Sequence, residues 1–179
     1  MKLIAFVGMP ASGKSEASAV ARSMNIPVIS MGDVVREESS RRGLPPTDAN
    51  IGGVGTELRR EEGMDAVARR CIRRIRLQES PIVVIDGIRN IDELKYFKQQ
   101  FGIDFKLIAI QAPFELRFER VKKRARSDDM STIDELKRRD EREKGWGLDK
   151  AIEIADITLK NNDSLEKFQN EIRKMIEIL

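Results

Sequence analysis

One feature near the start limits this chain more than any other. The apolar run Leu3-Ile4-Ala5-Phe6-Val7 passes directly into Gly8-Met9-Pro10-Ala11-Ser12-Gly13-Lys14-Ser15, and an Ala-rich stretch of helical composition follows. A G-x-x-x-x-G-K-S loop between a strand and a helix is a phosphate cradle. Gly8 and Gly13 let the backbone turn so that the N–H groups of Pro10's followers Ala11, Ser12 and Gly13 converge on an anion, and the helix behind adds the positive end of its dipole. Lys14 is placed to reach the β- and γ-phosphates of a nucleotide, and the Ser15 hydroxyl is a hard oxygen ligand for Mg²⁺. The expected cofactors are therefore ATP and Mg²⁺.

Composition removes several other chemistries. The 179 residues carry 33 Lys and Arg against 30 Asp and Glu, a net charge of only +3, so the charge is balanced and is no polycationic footprint for nucleic acid. Cys71 is the only cysteine and there is no histidine, which excludes an intrachain disulfide, a thiolate zinc site and the commonest general base. Acid–base work falls to carboxylates or lysine. The opening residues read as a strand rather than a signal peptide, and no apolar run reaches membrane-spanning length, so a cytoplasmic protein without a membrane partner is expected.

Short apolar runs at 2–7, 27–30, 81–86, 105–111 and 157–160 alternate with amphipathic stretches. That alternation, with nearly continuous apolar strands, predicts a buried parallel sheet flanked by helices. Met64, Val67, Cys71 and Ile75 recur at helical spacing, which places Cys71 on a core face rather than in a reactive site. Asp163 or Ser164 can cap a last helix whose Leu165, Phe168, Ile172, Met175 and Leu179 line one side. Residues 43–55 are dense in Pro and Gly and predict a loop with a poorly rigid helix. Residues 117–142 read as helix, turn, helix, with the turn at 127–131 and a capping box at Thr132 and Glu135.

Two strand ends carry further chemistry. Ile82-Val83-Val84-Ile85-Asp86 brings a carboxylate to the sheet edge beside the cradle, where it can hold Mg²⁺ or its waters, and Arg89 follows in the same crevice. After Ser30, Asp33 suits a helix cap, and Arg36 stands one turn further on, within reach of an acceptor phosphate. In the stretch beyond Phe114, Arg117, Arg120 and Arg124 flank an apolar stripe of Phe114, Phe118, Val121 and Ala125, with Arg138 and Arg142 on a second arm. Arginines on a closing lid suit the charge that spreads over a transferring phosphoryl group, and Arg120 and Arg124 are the leading candidates.

In that order the motifs resemble the P-loop nucleoside monophosphate kinases, adenylate kinase above all. Residues 29–36 are similar to the adenylate kinase segment whose arginine holds the acceptor phosphate. One departure stands at Asp86-Gly87-Ile88-Arg89, where adenylate kinases carry two residues between the glycine and the arginine. Residues 155–166 resemble the closing strand, turn and helix of dephospho-CoA kinases, and the whole is similar to an archaeal group of adenylate-kinase-related ATPases. The resemblance implies a three-layer α/β P-loop NTPase fold with a five-stranded parallel sheet, an acceptor-binding flap at 35–77 and a lid at 117–146 within one domain, 1–179. It also implies that Asn161 lies near the donor adenine. The function expected is transfer of the ATP γ-phosphate to a nucleotide-like small molecule, a nucleoside monophosphate first. A dephospho-CoA-type hydroxyl kinase, or an ATP-switched ATPase whose lid grips RNA or protein, stays open, as does the oligomeric state.

Overall fold

The computed structural model describes residues 1–124 and 132–179, without the side chain of Arg124. The expected turn at 127–131, with Ala125, lies outside the described residues. Five strands, β1 (Lys2–Val7), β2 (Val28–Ser30), β3 (Ile82–Ile88), β4 (Phe105–Gln111) and β5 (Ile157–Lys160), form one sheet in the order β2-β3-β1-β4-β5. Every pairing is parallel. Central strand β1 is buried from Leu3 to Val7, because helices cover both faces of the sheet.

Between the strands run α1 (Lys14–Ser23), α2 (Met31–Arg41), α3 (Asp48–Glu62), α4 (Ala66–Arg76), α5 (Ile91–Phe101), α6 (Phe114–Arg124), α7 (Ile133–Gly145) and α8 (Leu148–Glu153), and α9 (Leu165–Ile178) closes the chain. One core face packs Leu3, Ala5 and Val7 against α2–α5 and α8; Cys71 is sealed within it, and burial pushes its thiol up to about 12. The opposite face packs Ile4 and Phe6 against Ala17 and Val20 of α1 and Phe168, Ile172 and Ile176 of α9.

Several expectations change in detail. Ser30, not Asp33, caps α2: its side chain accepts from the Asp33 N–H, so Asp33 lies in the first turn with its carboxylate turned outward. Ser164 caps α9; Leu165, expected on the core stripe, is half exposed, while Ile176, not expected there, is buried. Met64 precedes α4 instead of belonging to it. The glycine-rich stretch is not a weak helix but part of the continuous helix α3, capped by Thr47. Gly52 is used for proximity: a Cβ there would stand 2.4 Å from Cζ of Arg142, ninety residues away. The Thr132–Glu135 capping box forms as expected, each side chain accepting from the other's backbone N–H.

Candidate functional site

Residues 8–13 wrap the carboxyl end of β1, the middle of the sheet, where a parallel α/β fold opens its crevice. The loop is held tightly from behind. A Cβ on Gly8 would fall 2.3 Å from the Ile110 carbonyl oxygen, and one on Gly13 2.1 Å from Nδ2 of Asn161. Ser12 is buried, and its carbonyl accepts from Asn161 Nδ2 at 2.9 Å and from Arg120 Nη1 at 3.3 Å. Arg120 Nη2 also donates to the backbone and side-chain oxygens of Asn161, at 3.0 and 3.1 Å. Arg120 therefore joins α6 to the cradle and to the turn after β5, the place expected of Asn161.

At the mouth of the cradle Lys14 is 8% exposed, and its Nζ donates to the carbonyls of Gly8 at 2.6 Å and Met9 at 2.9 Å. Burial, then the nearby Arg89, lower its ammonium to about 7 against the pull of Asp86 and Glu143. A buried cation destabilised in this way suits an anion that has yet to arrive. Beside it, the Asp86 Oδ1 is sealed from water and accepts no hydrogen bond. β3 runs past Asp86 through a bulge: Phe6 faces Asp86, Val7 faces Ile88, and Gly87, at φ 102°, is the extra residue. That bulge turns the chain so that Asp86 and Arg89 border one crevice.

The cleft, about 740 Å³, runs from Asn161 across Pro10, Ala11, Gly13, Lys14 and Ser15. Its far end is bordered by Asp33, Arg36, Asp86 and Arg89, with Arg120 at the near side. These expected residues therefore meet in one space. Asp33 and Arg36 form an ion pair with each other. Arg124 ends α6, and its side chain lies outside the described residues. The remaining lid arginines divide. Arg117 is a structural residue, 5% exposed, donating to both Asp140 oxygens at 2.9 and 2.6 Å and to the Pro10 carbonyl at 3.0 Å. Arg138 points to solvent, and Arg142 donates to both Asp48 oxygens at 2.8 Å.

Two residues of the site escaped the sequence reading: Arg139 borders the cleft in place of Arg138, and Glu143, 2% exposed, lies behind it. Arg139 Nε donates to Glu143 Oε1 at 3.1 Å, and Arg89 Nη1 lies 3.2 Å from Glu143 Oε2. Arg89, Arg139 and Lys14 overcome the cost of burial and hold the Glu143 carboxyl down to about 2. A signal existed: counted from apolar Leu136, helical spacing turns 139, 140 and 143 inward and 138 outward.

The residues fit the nucleotide and metal expected of them. The cradle has no room for a side chain, burial destabilises the Lys14 ammonium, and a buried Asp86 oxygen without a hydrogen bond borders the same cleft as Ser15. Among the described residues no group of three Cys, Asp or Glu side chains could hold a metal alone. A divalent ion here would thus depend on phosphate oxygens. No helix among the described residues is long and apolar enough to cross a membrane.

Fold and site together define the class: a P-loop protein of kinase-like fold, within the family described as an AAA domain, whose model matches residues 7–137. The B. thetaiotaomicron shikimate kinase shares the fold, with a TM-score of 0.65, 16% identity and coverage of 98% of both chains. More narrowly, the chain belongs to the UPF0200 family. It is 56% identical to the UPF0200 protein of Methanosarcina acetivorans, over 98% of this chain and 94% of that one. It is 58% identical to the UPF0200/UPF0201 protein of Archaeoglobus fulgidus over 98% of its own length, but spans only 55% of that relative.

Proposed function

We propose that this chain is an ATP- and Mg²⁺-dependent phosphotransferase whose acceptor is a small molecule bearing an anionic group. The observation that carries the reading is one cleft that joins the phosphate loop, a buried Lys14 whose ammonium burial destabilises, and the unbonded oxygen of Asp86 to Arg36 and Arg89. ATP, when bound, would supply the phosphoryl group, and Mg²⁺ would offset the charge of its phosphates.

Each residue then has a task. The N–H groups at 11–13 and the Lys14 ammonium hold the phosphate chain, and Lys14 exchanges its two carbonyl partners for phosphate oxygens. Ser15 and Asp86 hold the metal or its waters. Arg120 fixes the cradle against Asn161 and, with Arg124, screens the charge of transfer. Arg36 and Arg89 orient the acceptor, and Asp33 sets the position of Arg36 through their ion pair. An acceptor that attacks through a phosphate oxygen needs no base, so catalysis rests on positioning and charge neutralisation. A nucleoside monophosphate remains the first acceptor to try, and a hydroxyl acceptor of the dephospho-CoA type the second. Against the alternative in which lid arginines grip RNA or protein, Arg117 and Arg142 are each paired with a carboxylate of the chain itself, Asp140 and Asp48.

The test is direct. Calorimetry is expected to show Mg²⁺-dependent ATP binding that Lys14→Ala removes. A coupled assay with ATP and AMP, CMP, UMP, GMP or dephospho-CoA is expected to show turnover above the ATP-only rate for at least one acceptor. No binding by the purified chain would sink the reading. Binding with hydrolysis alone would reduce it to an ATPase.

A further inference from the structure

We infer that Arg89 and Arg139 form a subsite for a phosphoryl group, and that the Glu143 carboxylate occupies this subsite until that group arrives. The inference rests on the phosphotransferase reading and adds a resident anion to it. A comparison within the molecule carries the argument. The other buried carboxylates paired with arginine are satisfied on both oxygens. Asp140 accepts from Arg117 at 2.9 and 2.6 Å. Glu93 accepts from Arg59 Nη2 and from the Arg89 N–H, both at 2.7 Å. Such pairs hold a fold together.

Glu143 differs. Its Oε2 and the Arg89 Nη1 stand 3.2 Å apart, yet both atoms are sealed from water and neither makes an aligned hydrogen bond. The two guanidinium groups that hold Glu143 also border the cleft containing Lys14 and Asp86. A carboxylate therefore sits, imperfectly bonded, among cations directly behind the arginines that border the cleft. A phosphoryl group carries more oxygens and more charge than a carboxylate and can accept from both guanidinium forks at once. Of the charged groups around Glu143, Arg89 comes from the end of β3, Lys14 from α1 and Arg139 from α7; Asp86 stands across the cleft, and Asp48 of α3 is 3.4 Å from Arg139.

Displacement would be visible elsewhere. Glu143 lies three residues before Trp146, the only tryptophan, which ends α7 with the Arg59 guanidinium 4.4 Å over its ring. Movement of Glu143 out of the subsite thus alters the surroundings of one fluorophore.

Glu143→Gln keeps the shape and an oxygen for Arg139 but removes the competing charge. The probes are ADP, a non-hydrolysable ATP analogue, and orthophosphate added to analogue-saturated protein, each titrated calorimetrically into the full chain. If the subsite takes the transferring group, E143Q tightens the analogue relative to ADP about tenfold, equal to about 1.4 kcal/mol. If it takes the acceptor's group, E143Q tightens orthophosphate by the same factor. In wild type the tightened ligand shifts Trp146 emission. Unchanged or weaker binding of both probes in E143Q, or wild-type binding with unmoved Trp146 emission, overturns the inference. Should E143Q not fold, Glu143→Asp, which retracts the charge by one methylene, is expected to give about threefold tightening, and no tightening overturns the inference equally. Failure of ADP to bind wild type would instead count against the donor loop itself.

Discussion

At the scale of single residues the buried charges divide by whether their hydrogen bonds close. Arg117 and Asp140 are 5% and 7% exposed and bonded through both carboxylate oxygens, and Arg117 also reaches the cradle carbonyl of Pro10. Asp140→Ala leaves that guanidinium buried without a counter-charge, a loss of about 3–5 kcal/mol. Urea unfolding measures it; a loss below 1 kcal/mol would show that Arg117 escapes to water. Glu143 adds a pH dependence. Its carboxyl is held at about 2 in the fold against an ordinary 4.5, so the unfolded chain binds the proton more readily. The stabilisation is therefore complete above pH 4.5 and is lost as pH falls from 4.5 toward 2. Acid unfolding of E143Q is expected to lack that component, and a profile parallel to wild type across this window would refute it. The sequence marked the inward face of this pairing but not its partners. Asp140 and Glu143 stand in a charged run where nothing local sets them apart, and only the inward face begun by Leu136 selects them.

Among the elements, the strands were legible because a sheet buried on both faces writes each one as a nearly unbroken apolar run. The expected bounds of β1, β4 and β5 match those observed. β3 runs two residues further, because the bulge at Gly87 carries pairing past Asp86. Helix α3 was not legible, since its glycines suggest a break when read locally. Gly52 instead admits the Arg142 guanidinium, which reaches Asp48 at the first turn of the same helix. This clasp fastens α3 to α7, with Trp146 Nε1 donating to Thr56 Oγ1 at 3.3 Å beside it. Asp48→Ala removes both Arg142 bonds and the Arg139 contact, a cost of about 1–3 kcal/mol because both partners are only partly buried. Hydrogen exchange in the first turns of α3 is expected to quicken while β1 and β4 keep their protection. Equal protection throughout would mean the clasp adds nothing to α3.

For the whole molecule, the phosphate-loop end of the cleft was legible as a motif and the end at Arg36, Arg89 and Arg139 only in part, for a physical reason. A phosphate is held by backbone N–H groups at fixed short spacing, so its cradle is local and leaves a motif. The opposite end of the cleft is lined by side chains from separate elements, Arg36 from α2, Arg89 after β3 and Arg139 from α7, whose meeting depends on the packing of the entire chain. The same contrast yields a prediction. The cradle touches β1, β4 through Ile110, the turn at Asn161, and α6 through Arg117 and Arg120. An anion that relieves the desolvated Lys14 therefore strengthens a point at which most of the sheet converges. At a hundred times its Kd, Mg²⁺-ATP is expected to stabilise the fold by about 2.7 kcal/mol and to raise Tm by roughly 5–10 °C for a chain of this size. In Lys14→Ala the unliganded protein should be at least as stable as wild type, since a buried ammonium has gone, yet the nucleotide-dependent rise should vanish. A Lys14→Ala variant that melts lower without ligand, yet still gains the full increment with it, would place the nucleotide elsewhere.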